Sequence, residues 1–250
     1  MRETRYVTPQ AHRWPEHWQL PTDADLKVMR DGYRRGLLPP DQQLLNQAAA
    51  EVVPDSARCL DVAERLYEVA RLETQDGQRP IGGLAAPQIG VALRIVLFDT
   101  RAEGHGPPQL YDLGCVVNPT LTPVGDSWVR LPEGCASTGR ITGWVHRPAT
   151  VMADGYDLDG TRMRREYTGR AARVLQHEVD HLDGVRFPDR TTDPDLLWVS
   201  THRVPEFVAH VKRVLGGDRV PGWEPRTPRD QWVAITQGAA LFGGLDGPAT

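Results

Sequence analysis

The residues Gln176-His177-Glu178-Val179-Asp180-His181-Leu182-Asp183-Gly184 place two histidines four apart, with a glutamate directly after the first. On a helix such residues project only about 40° from one another, so both imidazoles share a face. They can converge on one metal ion while Glu178 handles the protons of a water bound there. The chemistry of that trio is hydrolysis, because a divalent cation makes water nucleophilic near neutral pH.

A catalytic site of this kind needs a third protein ligand and one position for water. Downstream of His181 the candidates are His202, His210, Glu206 and Glu224, and none has a recognisable spacing. Upstream, Leu131-Pro132-Glu133-Gly134-Cys135-Ala136-Ser137 offers Cys135 after a glycine, where the chain can turn tightly and present a thiolate. The other two cysteines, Cys59 and Cys115, read as buried structural thiols.

The segments that must carry these residues follow from pattern. A helix begins near Gly169, buries Ala172, Leu175, Val179 and Leu182 on one face, and stops at Gly184. Before it, Asp159-Gly160 signals a turn between two strand-like arms, hence a β-hairpin. Arg94 to Asp99 and Cys115 to Pro119 read as buried strands. Residues 41–76 read as helical in two pieces, divided near Pro54-Asp55-Ser56. Ser56 is the expected cap of the second piece, and Cys59, Val62, Leu66, Val69 and Leu72 form its buried face. A further helical pattern spans about 205–215, with Phe207, Val211, Val214 and Leu215 on one side, and a Pro/Gly-rich, loosely packed tail is expected after it. No internal repeat is present.

Composition removes several function classes. A net charge of −4 gives no electrostatic case for nucleic acid as a partner. No apolar run approaches the roughly 18–20 residues that span a bilayer, and the polar first residues lack a signal-peptide pattern. Three scattered cysteines suit a reducing compartment. A cytoplasmic protein with no membrane partner is the expectation.

Three segments in order, Gly82 to Gly90 (GGLAAPQIG), Glu133 to Ser137 (EGCAS) and QHEVDHLDG, resemble the signatures of the peptide deformylases. The resemblance is strongest over about residues 82–190. It implies an α+β fold with antiparallel sheets packed around a central metal-binding helix. It also implies an extension over 1–40, a catalytic domain over 41–192, and a C-terminal helix and tail over 193–250. The implied activity is removal of the N-formyl group from N-formylmethionyl peptides or nascent chains, releasing formate and a free N-terminus.

By the same resemblance Cys135, His177 and His181 hold one divalent ion, Fe2+ or Zn2+, with Ni2+ or Co2+ as substitutes. Glu178 is the general base, and Gln88 with the backbone N–H of Ala136 stabilises the oxyanion. Gly82, Gly83, Leu131, Arg170 and Val174 bind substrate, and Asp180 and Arg147 stand behind the ligands with Glu133. Monomer and dimer are equally compatible with the sequence.

The chain departs from that pattern at Ile81, where a glycine is usual, at Ala136, where leucine is usual, and at Thr138-Gly139-Arg140 in place of Val-Pro-Gly. Arg170 takes a position usually apolar in the methionine pocket. A guanidinium inside such a pocket is costly unless paired. It therefore swings to solvent or recognises a polar or acidic substrate. That second course defines an alternative, a specialised or inhibitor-tolerant deformylase acting on another formamide. An endopeptidase and a non-catalytic metal-binding homologue are the more distant readings.

Overall fold

The computed structural model describes residues 36–38, 42–75, 81–103, 108–138, 141–191 and 197–199. All but residues 36–38 of the expected extension over 1–40, the helix near 205–215 and the tail beyond it lie outside the described residues. Among those residues there are two α-helices, α1 (Ala57–Gln75) and α2 (Gly169–Leu182). The strands are β1 (Gly83–Ala85), β2 (Ile95–Asp99), β3 (Leu113–Pro123), β4 (Trp128–Gly134), β5 (Ile141–Pro148), β6 (Thr150–Tyr156), β7 (Arg162–Thr168) and β8 (Leu197–Val199).

They form two antiparallel sheets, one of five strands in the order β1-β2-β3-β6-β7 and one of three in the order β4-β5-β8. This is the expected α+β arrangement with antiparallel sheets about a central helix. Strand β2 explains the layering. All five of its residues are buried, because alternate side chains enter two different cores. Ile95 and Leu97 meet Cys59, Val62, Leu66 and Ala70 of α1. Val96 and Phe98 face the opposite way, into the core shared with Ala172, Leu175, Val179 and Leu182 of α2. The predicted faces of both helices are thus the packed ones, apart from Leu72, whose side chain is not described.

The Ser56 cap forms, its hydroxyl accepting from the Cys59 N–H at 3.2 Å. The hairpin forms too, with Tyr156 opposite Arg162 and Gly160 at φ +80° in the turn. Helix α2 ends at Leu182, and two residues on the chain turns at Gly184, whose φ of +67° favours glycine and whose Cβ, if present, would strike the backbone of Asn46 and Gln47.

One expectation is corrected. The first helical piece before Pro54 is only a 3-10 turn, Gln43–Asn46, followed by extended chain. Long-range pairing overrides its helical pattern. Ala50 bridges Leu93, and the Asn118 side chain exchanges two hydrogen bonds with the backbone of Val52. The pattern also missed β4 and β5, the strands that carry Glu133 and Arg147.

Candidate metal centre and substrate groove

Helix α2 supplies two of the clustered donors, and Cys135, the residue just after β4, supplies the third. The thiol of Cys135 and the ring nitrogens of His177 and His181 all lie within 4.8 Å of one another. Cys135 Sγ and His181 Nε2 are 3.1 Å apart. Donors around a tetrahedral zinc-sized ion stand about 3.3–3.5 Å from each other, given metal–ligand bonds of about 2.0–2.3 Å. The cluster therefore fits a divalent cation with a thiolate and two imidazoles, and among the described residues no later histidine or carboxylate joins it. The rings are held apart in an edge-to-face arrangement with centroids at 5.2 Å, and Phe187 stacks on the far side of His177.

A buried ion network orients the ligands. Glu133 accepts at 2.9 Å from His177 Nδ1 and receives both Nε and Nη2 of Arg147, at 2.6 and 2.8 Å. Arg147 also donates to Asp180 at 2.8 Å, and Arg190 closes on the same carboxylate. Burial alone would push the Glu133 carboxyl up, but Arg147 outweighs it and holds Glu133 well below the ordinary carboxylate range. Arg147 in turn stays firmly charged despite its burial, because two carboxylates face it. Glu133, Arg147 and Asp180 therefore act together on the back of the metal centre.

Glu178 points the other way. Burial pushes its carboxyl up to about 7, and its Oε2 is buried with no partner among the described residues. A carboxyl in that condition can hold or release a proton near neutral pH. Gln88 is pinned by its own turn, its Oε1 accepting from the Ala85 N–H at 2.8 Å. Its Nε2 then reaches Ser137 Oγ at 3.1 Å and Cys135 Sγ at 3.5 Å. Ala136 opens a 3-10 turn, Ala136–Thr138, where leading N–H groups have no partner within the turn. Arg186, fully buried, braces that turn by donating to the Ser137 carbonyl at 2.9 Å and to Asn46 at 2.8 Å.

Two of the three donors, Cys135 and His177, open on a cavity of about 270 Å³ lined also by Gly82, Gly83, Gln88, Ala136, Arg170, Arg173, Val174 and Glu178, together with Ile81, Leu84 and Pro132. Gly83 must be glycine, since a Cβ there would collide with the Glu178 carboxylate and with Val174. Leu131 is not among the lining residues and stands 44% exposed on β4. A larger cavity of about 490 Å³ lies on the other side of α2, between Arg94, Trp128, His146 and Asp183, and contains none of the clustered donors.

Arg170 does not leave the cavity. Its Nε donates to Asp99 at 2.9 Å, and Asp99 is fully buried. Sequence reasoning also passed over Arg173, which donates to Glu133 at 2.6 Å and to the carbonyls of Val129 and Val145. A signal for it existed: it is four residues before His177, on the side of the helix that faces the metal ligands.

Comparison with known proteins places this geometry. The model of the polypeptide deformylase family matches residues 36–196. The chain belongs to that family. It is 37% identical over 139 residues to peptide deformylase 2 of Ralstonia nicotianae, an alignment covering 55% of this chain and 78% of the relative. It is 44% identical over 121 residues to peptide deformylase 1 of Prochlorococcus marinus, covering 44% of this chain. The match spans only 59% of that relative's length, and 64% of the Nitrosomonas europaea relative's. Among solved structures, the Met-Ala-Ser-bound class I type b peptide deformylase of Acinetobacter baumannii matches with a TM-score of 0.53 at 25% identity, over 62% of this chain and 96% of that one. The inhibitor complex of Plasmodium falciparum peptide deformylase shares the fold, with a TM-score of 0.52 at 23% identity over 70% of this chain and 99% of its own.

Proposed function

We propose that this chain hydrolyses the formamide of N-formylmethionyl peptides, releasing formate and a free N-terminus. The observation that carries the proposal is one cavity lined by Cys135 and His177, the Gln88 amide and the Glu178 carboxyl, with His181 buried behind as the third member of the donor cluster. A divalent cation, iron(II) or zinc, with nickel or cobalt able to take the same donors, would supply a polarised water and a Lewis acid for the formyl oxygen. The remaining steps belong to the protein. Glu178 takes the proton of the attacking water and delivers it to the leaving amine. Gln88 Nε2 and the Ala136 N–H donate to the oxygen on which negative charge develops.

Among the described residues strand β1 is an edge of its sheet, paired with β2 alone. A formyl peptide can add to its open side as a further strand, with Gly82 and Gly83 allowing close approach. Val174 and Arg170 then face the first side chain. The peptide-bound Acinetobacter relative, whose fold this chain shares, supports a peptide in this groove. The unit that performs the reaction is residues 41–192, in keeping with the family match. A cytoplasmic setting completes the proposal: the three cysteines are free thiols, and no helix among the described residues is long and apolar enough to cross a membrane.

The test is formate release from formyl-Met-Ala-Ser by the metal-loaded protein, beside the Glu178→Ala variant. The variant should keep its metal, measured by elemental analysis, and lose turnover at least a hundredfold. Surviving activity in that variant would remove Glu178 from the role, and absence of formate in the wild type would refute the function.

A further inference from the structure

The wall of the groove formed by α2 changes character along its length. Arg170, Val174 and His177 succeed one another at i, i+4 and i+7, so they form one stripe along the cavity. Next to the metal cluster the stripe is an imidazole ring and a valine. At its far end it is a guanidinium.

That guanidinium is built in rather than incidental. Arg170 Nε is fixed to Asp99, which also receives Arg101 Nε at 2.9 Å and Arg101 Nη2 at 2.9 Å. The Arg170 backbone is fixed as well, its N–H donating to the Ala102 carbonyl at 3.0 Å. One terminal nitrogen, Nη2, comes to 3.1 Å from where a Cβ on Gly82 would stand, so the head lies against the backbone that borders the groove. Among the described residues neither terminal nitrogen of Arg170 donates to anything. Arg173 makes the contrast: its terminal nitrogens are taken up by Glu133, Val129 and Val145, leaving only its stem to line the cavity.

The surrounding charge narrows what the free donors would take. Arg101 and Arg170 are balanced by Asp99 and by Asp112, which is 3.5 Å from Arg101. These four charges sum to zero, while among the described residues the terminal nitrogens of Arg170 make no hydrogen bond. Such a site selects an acceptor rather than an anion as such.

Resting on the deformylase reading above, we propose that Arg170 is a specificity-determining residue that reads the tip of the first side chain of the formyl peptide. The preferred side chain has an unbranched apolar stem, lying over Val174 and the His177 ring, and ends in a strong acceptor: the amide of glutamine, the carboxylate of glutamate or the S=O of methionine sulfoxide. Methionine itself fits the stem portion, but its thioether is a weak acceptor and leaves the donors unused. A norleucine side chain has the same length and no acceptor at all.

The experiment compares kcat/KM for formyl-X-Ala-Ser peptides in the metal-loaded full chain and its Arg170→Leu variant. X is norleucine, methionine, methionine sulfoxide, glutamine or glutamate, and formate is the product measured. Arg170 is 41% exposed, and its loss leaves Asp99 with both Arg101 bonds, so the variant should fold and melt within a few degrees of wild type. The acceptor-to-norleucine ratio should fall at least tenfold in the variant, the scale of one hydrogen bond to a charged donor. Arg170→Lys, which keeps the charge and loses the planar fork, should give an intermediate ratio. A ratio unchanged within twofold, or an equal loss on all five peptides, would overturn the assignment while leaving the deformylase reading intact. Failure of the metal-loaded wild type to release formate from any of the five would overturn both.

Discussion

Replacing Arg147 with methionine tests whether charge, rather than apolar packing, fixes the metal centre. The guanidinium is 5% exposed and makes three hydrogen bonds, two to Glu133 and one to Asp180. Each charge-assisted bond is worth about 1.5–3 kcal/mol net, so the simple sum is about 4.5–9 kcal/mol. Two effects reduce it. Glu133 keeps Arg173 and His177, and Asp180 keeps Arg190, so neither carboxylate is left alone. The cost of burying the guanidinium is also recovered. The expected loss is therefore at the usual cost of breaking a buried pair, about 3–5 kcal/mol. With a urea slope of about 1–3 kcal/mol per molar, the unfolding midpoint of the metal-free protein should fall by about 1–5 M. Total stabilities of about 5–15 kcal/mol leave such a variant folded in water except at the bottom of that range. Metal affinity should drop about 10- to 100-fold, because the carboxylate that orients His177 is no longer held on the Arg147 side. Competition against a chelating indicator measures it. A midpoint moved by less than about 0.5 M, or an unchanged metal affinity, would refute the reasoning.

Three further outcomes are expected. Gly83→Ala should cut kcat/KM by more than a hundredfold in the formate assay with little change in melting, since the new Cβ meets the Glu178 carboxylate; activity within fivefold of wild type would contradict the close approach described. Burial pushes the Cys115 thiol up to about 12, so at pH 8 only about one in ten thousand is thiolate, and Cys59 is fully buried. Alkylation of the native metal-free protein should therefore fall on Cys135 and be blocked by added zinc, as peptide mass mapping would show; labelling of Cys115 ahead of Cys135 would contradict this. For Asp99, burial raises the carboxyl but the hydrogen bonds from Arg101 and Arg170 outweigh it and leave it depressed. Its stabilising contribution is then complete above the unfolded carboxylate pKa of about 3.9 and fades as pH falls through the folded value. Melting temperatures between pH 2 and 7 should decline below about pH 4 in the wild type and less steeply in Asp99→Asn, and equal slopes would argue against the ion pair.

The helix that carries the candidate metal ligands was legible as a helix because two periodic signals coincide on it. Val179 and Leu182 bury one side at helical spacing, while His177 and His181 repeat every four residues on another. The hairpin was legible from Asp159-Gly160, and β2 from its unbroken apolar run. Strands β4 and β5 were not, for a reason that lies in the site. Reading period two, a charged residue counts as outward-facing, yet Glu133 and Arg147 are the buried ones. Pro132 adds to the disguise, and it is tolerated because β4 is the edge of its sheet. The orientation of Arg170 could not be read either. It depends on Asp99, a residue 71 positions away whose only local mark is a charge ending an apolar strand.

These two misses share one cause, and it bears on how the candidate metal centre is held. Helix α2 meets the five-stranded sheet through an apolar core, which sets its depth but is non-directional. It meets β4 and β5 through Glu133, Arg147, Arg173 and Asp180, where donors and acceptors fix angles as well as distances. Cys135 comes from the sheet side of that contact and the two histidines from the helix side, so the ligand set closes across the directional interface. A core of leucines there could be equally stable and still allow the thiol to drift relative to the imidazoles. Arg170 repeats the device at the far end of the same helix, with Asp99 on the opposing sheet, and so places the substrate groove under the same angular control as the metal.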